Sequence, residues 1–316
     1  MRDIAVFSGS AHPTLAAEIC AHLETSLNPV RTIRFANDCL EVQLQANCRE
    51  RDVFLVQPLV APVQEHLVEL LLMCDAARGA SAARITAVVP HYSYARSDKK
   101  DAPRISIGGR LVADLMVAAG ADRVLAMTLH SPQVHGFFSV PVDHLNALRE
   151  LADHFRDYDL SNTTVVSPDL GNAKEAAAFA RLLGVPVAAG AKQRFAGDTV
   201  AISSVIGDVT GRDVIVLDDE IAKGSTVMEL LDRLRDLGAR SVRVACTHGL
   251  FASGALKRLS DQPDVEEIVC TNTVPIPATE ETGTDKLTVL SIAPALAEAM
   301  RRIHNGESVS ALFEGL

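Results

Sequence analysis

The sequence predicts an α/β protein of two domains, each a mostly parallel sheet flanked by helices. Short apolar runs rich in β-branched residues alternate with segments of helical period along the whole chain. Acidic loops follow strand-like runs at helix starts, where open α/β sheets bind ligands. The length of 316 residues suits about two domains.

In the first domain, residues 1–146, the strand-like runs are 4–7, 53–56, 85–89 and 123–127. Helical patterns cover 14–27, 63–78 and 108–119 between them. The polar stretch between Asn146 and Asn162 is the expected boundary. In the second domain, residues 147–300, strands are expected at 164–166, 214–217, 241–247 and 268–274 and helices at 173–183 and 227–237. A last helix over 293–303 leads into a tail, 301–316, whose apolar residues Val309, Leu312 and Phe313 need a surface to dock on.

Composition narrows the function classes. The chain is 48% apolar with a mean hydropathy of +0.16, and no run reaches the roughly 18 apolar residues of a membrane helix. Neither a targeting segment nor a membrane association is expected, and a net charge of −10 argues against nucleic acid as partner. The scattered Cys20, Cys39, Cys48, Cys74, Cys246 and Cys270 form no CxxC pair, which suits reduced thiols, mostly core fillers, in a cytoplasmic protein.

The chemistry concentrates in Val214-Ile215-Val216-Leu217-Asp218-Asp219-Glu220-Ile221-Ala222-Lys223-Gly224-Ser225-Thr226. A buried strand opens into a small-residue turn before a helix, so backbone N–H groups and the Ser225 and Thr226 hydroxyls can cradle an anion. Carboxylates would repel a phosphate, so Asp218 and Asp219 suit sugar hydroxyls or a divalent cation beside it. This is the pattern of the phosphoribosyl-pyrophosphate loop and resembles the type I phosphoribosyltransferase fold; an ordinary turn with helix-capping aspartates is the alternative.

A second acidic loop, Ser167-Pro168-Asp169-Leu170-Gly171-Asn172, follows another strand. Asp169 there can hold a metal ion, or cap a turn. Lys192 and Arg194 alternate along an extended segment entering a Gly-containing loop, so both can clamp a transferring phosphoryl group from one face, or stay solvated. His130 ends a strand and can bind a metal when neutral or a phosphate when charged, or simply face solvent. The loop from His91 to Lys100 is cationic with two tyrosines, a combination that suits a nucleotide, with Arg96 available to phosphates.

Together these segments resemble the ribose-phosphate pyrophosphokinase family over essentially the whole chain. The ordered matches are Phe7-Ser8-Gly9-Ser10 with Pro13 and Leu15, Ala80-Ser81-Ala82 with Arg84-Ile85-Thr86-Ala87-Val88, Gly136-Phe137-Phe138, Val166-Ser167-Pro168-Asp169, Ile206-Gly207-Asp208-Val209, and the ending from Arg301 to Phe313. The resemblance implies two phosphoribosyltransferase-type I domains, a nucleotide side in the first and a ribose 5-phosphate site in the second. It implies transfer of the β,γ-diphosphoryl group of ATP to the 1-hydroxyl of ribose 5-phosphate, giving 5-phosphoribosyl 1-diphosphate and AMP for nucleotide biosynthesis. By the same resemblance His130 and Asp169 bind magnesium (Mg2+), and Lys192 and Arg194 stabilise the transferring group. Asp218, Asp219, Lys223, Gly224, Ser225 and Thr226 hold ribose 5-phosphate; Phe35, Asn37, Cys39, Arg96, Ser97 and Asp98 lie at nucleotide-binding positions. Arg49, Ser81, Ser308 and Ser310 match a regulatory phosphate or ADP site, and a homo-oligomer built from dimers, a hexamer, is implied.

Several positions depart from the family pattern. Phe35-Ala36-Asn37-Asp38-Cys39 stands where Phe-x-Asp-Gly-Glu is usual, unless a slipped alignment recruits Asp38 and Glu41. Thr128 replaces an aspartate, Ser97 a glutamine, and Ala222-Lys223 the usual Asp-Thr. These changes motivate two further readings: a non-catalytic subunit that regulates a synthetase, or the same reaction with another nucleotide donor. A phosphoribosyltransferase is a third, opposed by the matching first half.

Overall fold

The computed structural model describes residues 3–194, 200–276 and 283–313. The chain divides into two compact units, one running through Asn146 and taking in Thr273–Pro275 and the chain from Ile292, the other holding Ala147–Asn272 and the segment from Ile276 to Ser291.

In the first unit β1 (Ile4–Ser8), β2 (Leu27–Asn28), β5 (Asp52–Val56), β6 (Arg84–Val89), β7 (Arg123–Met127) and β8 (Val142–Leu145) form a sheet in the order β2-β1-β5-β6-β7-β8. Every neighbouring pair is parallel. Between β2 and β5 the chain forms a separate antiparallel hairpin of β3 (Val30–Arg34) and β4 (Leu40–Leu44). The helices are α1 (Pro13–His22), α2 (Val63–Gly79) and α3 (Gly108–Ala119). The first helix ends earlier than the apolar period predicts. Its start is set by Pro13 and by the His12 ring nitrogen accepting the Leu15 N–H at 3.4 Å. Beyond Leu23 the chain turns through Glu24 at φ 55°, which stops the helix and frees Leu27 for an edge strand. Phe7, Leu55, Leu70, Met73 and Met116 fill this core.

In the second unit α4 (Leu148–Phe155) precedes β9 (Thr163–Ser167), α5 (Ala173–Leu183), the hairpin β10 (Val187–Arg194) and β11 (Val200–Ile206), and β12 (Asp213–Ile221). Then come α6 (Ser225–Asp236), β13 (Ser241–Gly249), α7 (Ala255–Ser260), β14 (Val265–Thr271) and β15 (Leu287–Leu290). The sheet order is β11-β10-β9-β12-β13-β14-β15, parallel except at the β10–β11 edge. Central β12 explains its own sequence. Val214 and Val216 pack with Leu230 and Leu234 of α6 on one face, while Ile215 and Leu217 pack with Phe155 and Phe179 on the other. A strand covered on both faces must be apolar at every position, each such side chain contributing roughly 1.5–3 kcal/mol by burial.

The last helix, α8 (Ala293–Asn305), differs from the sequence expectation, which carries the second domain to residue 300. It belongs to the first unit throughout. Arg301 donates to the His22 carbonyl at 2.9 Å, Arg84 to the Ile303 carbonyl at 2.9 Å, and His304 meets buried Asp52 at 2.8 Å. Five of the six cysteines are buried and all six are free; exposed Cys39 is the exception to a core-filling role.

Candidate functional site

The acidic pair stays in the strand rather than leaving it. β12 runs to Ile221, so Asp218 lies beside Cys246 and Glu220 beside His248 of β13. The Asp219 N–H donates to Asp218 Oδ1 at 3.0 Å. Burial, and then repulsion from Asp219 and Asp169, pushes the Asp218 carboxyl well above the usual range. The two acidic loops therefore share one field. Glu175, in the first turn of α5, joins it, its carboxyl raised by burial and then by Asp219. Sequence reasoning passes over Glu175, whose only signal is its place one turn into the helix that follows Asp169.

The Asp169 loop is built by its own short-range bonds. Oδ1 of Asp169 accepts the N–H groups of Gly171 at 2.9 Å and Asn172 at 3.2 Å. A Cβ on Gly171 would stand 3.1 Å from that oxygen, so glycine lets the carboxylate fold back over the loop. Asn172 then ties the loop to β12 by donating to the Leu217 carbonyl at 3.0 Å.

After Ile221 the chain turns through Gly224 at φ 71°, a left-handed conformation in which a side chain is strained. α6 starts at Ser225, with no acidic residue in its first turn to compete for the N-terminal N–H groups. Lys223 and Ser225 are exposed and Thr226 half-buried. A helix start open to an anion thus follows directly on the strand that carries the mutually repelling carboxylates.

Lys192 and Arg194 lie on β10, where their backbone pairs with Ile202 and Val200 beyond a register shift at Ala191. Their side chains, and residues 195–199 of the loop they enter, lie outside the described residues.

In the first unit, the strand β7 ends in a turn that presents His130 at the surface next to buried Leu129. Thr128 takes φ 41° there. Its N–H donates to the Leu145 carbonyl at 2.7 Å, and the Leu129 N–H donates to His144 Nε2 at 2.8 Å. Burial, then nearby His135, lowers the His144 ring from 6.5 to about 4, so it is neutral and accepts. Ser131 donates to Asp98 at 2.6 Å, joining this turn to the Arg96 loop. Asp98 therefore links two loops.

Ser97, expected at the nucleotide, accepts the Gly108 N–H at 2.8 Å and so caps α3 from a distant loop. Arg96 beside it is exposed at the end of a short turn, Ser93–Arg96. Phe35 is 47% exposed at the tip of the β3–β4 hairpin, where Asn37 accepts the Cys39 N–H at 3.3 Å. Arg34 pairs with Asp38 and Glu65, which gives Asp38 a structural partner. At the positions expected for a regulatory phosphate or ADP, the Ser81 carbonyl accepts the Glu50 N–H at 2.9 Å, which brings the Arg49 and Ser81 turns together. The Ser308 carbonyl accepts from Arg302 at 3.0 Å, and Ser310 opens a final short turn, Ser310–Phe313.

Among the described residues no group of three or more His, Cys, Asp or Glu is arranged to hold a metal, and no helix is long and apolar enough to cross a membrane. Parallel sheets with an acidic strand end and a glycine-opened helix start are the architecture of the type I phosphoribosyltransferase class. Comparison with known proteins makes the assignment particular. Residues 4–120 match a family model described as the N-terminal domain of ribose phosphate pyrophosphokinase, and residues 194–314 match the phosphoribosyl synthetase-associated domain. The chain is 83% identical to a putative ribose-phosphate pyrophosphokinase of Streptomyces coelicolor, over 99% of this chain and 98% of that one. It is 49% identical to the ribose-phosphate pyrophosphokinase of Deinococcus radiodurans, over 98% and 97% respectively. The phosphoribosylpyrophosphate synthetase structure from Mycobacterium smegmatis superposes with a TM-score of 0.90 at 39% identity, covering 96% of this chain and all, 100%, of that one. The chain belongs to the ribose-phosphate pyrophosphokinase family. Likeness over the full length to proteins named for the catalytic activity disfavours the regulatory-subunit reading.

Proposed function

We propose that the chain transfers the β,γ-diphosphoryl group of ATP to the 1-hydroxyl of ribose 5-phosphate, with the 5-phosphate seated at the Gly224–Ser225–Thr226 helix start and the ribose hydroxyls on Asp218 and Asp219. The single observation that carries the reading is the Gly224 turn, an acid-free helix start joined to the mutually repelling carboxylates of β12. Lys223 offers its ammonium to the same phosphate. Arg96 and the exposed Phe35 ring serve the nucleotide, the first by charge and the second as a stacking face.

Magnesium suits this site. Asp219 and Asp169 repel Asp218 across the two acidic loops, a repulsion that a cation held by Asp169 would relieve, and magnesium commonly keeps waters and substrate phosphates as its remaining ligands. Asp169 in the second unit and, separately, His130 in the first are each proposed as magnesium ligands. When bound, magnesium neutralises charge on the transferring diphosphoryl group. The protein's own residues position and stabilise: Lys192 and Arg194 hold the charge that develops on the transferring phosphoryl oxygens and keep water from them. No strong base is required.

The reading extends to assembly, regulation and compartment. Leu111, 56% exposed, and Leu115, 41% exposed, lie one turn apart on α3 and form an apolar face that a second copy would cover in a dimer-based hexamer. Arg49, Ser81, Ser308 and Ser310 remain the proposed regulatory phosphate or ADP site, and the free thiols suit the cytoplasm.

Incubation of the purified protein with Mg2+, ATP and ribose 5-phosphate should release AMP, and Lys192→Ala should lower turnover roughly 100-fold or more. A screen of nucleotide donors decides the preference left open at Asn37 and Cys39. AMP release no greater than that of Lys192→Ala with every donor would overturn the proposal.

A further inference from the structure

The turn proposed for the sugar phosphate is fastened from the outside by a segment that the sequence does not mark. The Phe251 N–H donates to the Ile221 carbonyl at 3.0 Å. Arg258, on α7, donates one guanidinium N–H to the Lys223 carbonyl at 2.6 Å and another to the Ser253 carbonyl. A Cβ built on Gly224 would lie 3.5 Å from Ala255 Cβ and 3.7 Å from Leu259 Cδ1, so the turn rests on α7 itself. Between these anchors Phe251 and Ser253 hold φ 43° and 55°. Non-glycine residues keep such left-handed conformations only where the surroundings impose them, and such residues cluster at functional sites.

The Lys223 carbonyl and the Gly224 N–H belong to one planar trans peptide and point to opposite sides of it. Holding the carbonyl toward Arg258 therefore turns the Gly224 N–H away from α7. We propose that Arg258 is a positioning residue for the sugar-phosphate substrate: it locks the Lys223–Gly224 peptide so that the Gly224 N–H stays in line with those of Ser225 and Thr226 as donors to one phosphate. Two carbonyls on separate segments need a rigid, forked donor. Arginine is that donor, whereas a lysine ammonium is a point charge on a flexible stem. Without the bridge the peptide is free to rotate, and the phosphate must order the turn as it binds. The inference rests on the reading of this turn as the ribose 5-phosphate site.

The test is steady-state kinetics of the full-length protein with ribose 5-phosphate varied at saturating ATP, and the reverse, for wild type, Arg258→Met, Arg258→Lys and Thr226→Ala. Arg258→Met should raise KM for ribose 5-phosphate roughly tenfold, as the loss of a charge-assisted hydrogen bond implies, with KM for ATP unchanged. Arg258→Lys should recover less than half of that loss, and it carries the test if the methionine variant does not fold. A wild-type KM for ribose 5-phosphate in the Arg258 variants, alongside a raised one in Thr226→Ala, overturns the clamp. Equal increases in both KM values overturn it as well, since general damage to the fold would act on both substrates. If Thr226→Ala also leaves KM for ribose 5-phosphate unchanged, the site reading beneath the clamp is what fails.

Discussion

Asp52 is the residue on which the docking of the last helix depends. Its side chain is 2% exposed. It accepts from Arg84 Nε at 2.8 Å, pairs again with the Arg84 guanidinium, and meets His304 Nδ1 at 2.8 Å. Arg84 also donates to the Ile303 carbonyl. Asp52→Ala removes the acceptor common to both partners and leaves a guanidinium beside a nearly buried imidazole. Breaking one side of a buried pair costs about 3–5 kcal/mol. The Arg84 side chain keeps 29% of its exposure, so solvent screens part of that charge and about 2–4 kcal/mol is the better figure. At about 2–4 °C per kcal/mol, thermal unfolding of the full chain should fall by roughly 5–15 °C.

The sharper comparison is the double variant Asp52→Leu/Arg84→Met, which replaces the ion pair with apolar side chains. It should recover most of the loss, because the penalty in the single variant comes from the stranded charge rather than from a large favourable pair energy. A single-variant loss below about 1 kcal/mol, or a double variant no more stable than the single, would refute the reasoning.

Two further outcomes follow from other buried contacts. The His144 ring is lowered from 6.5 to about 4 by burial and then by His135; the unfolded chain binds that proton more readily, so the stabilisation is complete above the unfolded value and is lost as pH falls toward the folded one. His144→Gln should flatten the decline in urea midpoint over that interval, and an acid slope identical to wild type would contradict the assignment. A Cβ at Gly9 would sit 2.3 Å from Gln57 Oε1, and fully buried Gln57 holds the Ala11 N–H at 3.1 Å and Glu69 at 2.6 Å. Gly9→Ala should therefore destabilise by about 2–4 kcal/mol in denaturant unfolding; a midpoint equal to wild type would mean that Gln57 can move away without loss.

The β12–α6 part of the candidate site is legible in one dimension because its signals are local. Val214-Ile215-Val216-Leu217 is apolar at every position, which a strand covered on both faces demands. The acidic pair sits in β12 itself and the glycine before Ser225 follows within a few residues, so a backbone turn alone brings them together. The β3–β4 hairpin is harder to see: Val30–Arg34 exposes Arg31, Thr32 and Arg34, and Leu40–Leu44 exposes Glu41 and Gln43, so both lack the apolar density of the central strands. Ser97, placed among nucleotide-binding positions by the resemblance, has a further role that only the fold shows: its hydroxyl accepts the N–H at the start of α3, eleven residues on.

By itself the sequence determined the α/β class, the strand-to-helix turns and the residue types those turns carry, since periodicity and turn chemistry act over a few residues. Tertiary structure alone decided how those turns are held. Arg258 reaches the Lys223 carbonyl across 35 positions, Asp98 meets Ser131 across 33, and His304 meets Asp52 across 252. Such contacts arise when sheet order and helix packing bring distant segments together. No local pattern in the chain encodes them, because each partner has an ordinary surface role until the fold supplies the other.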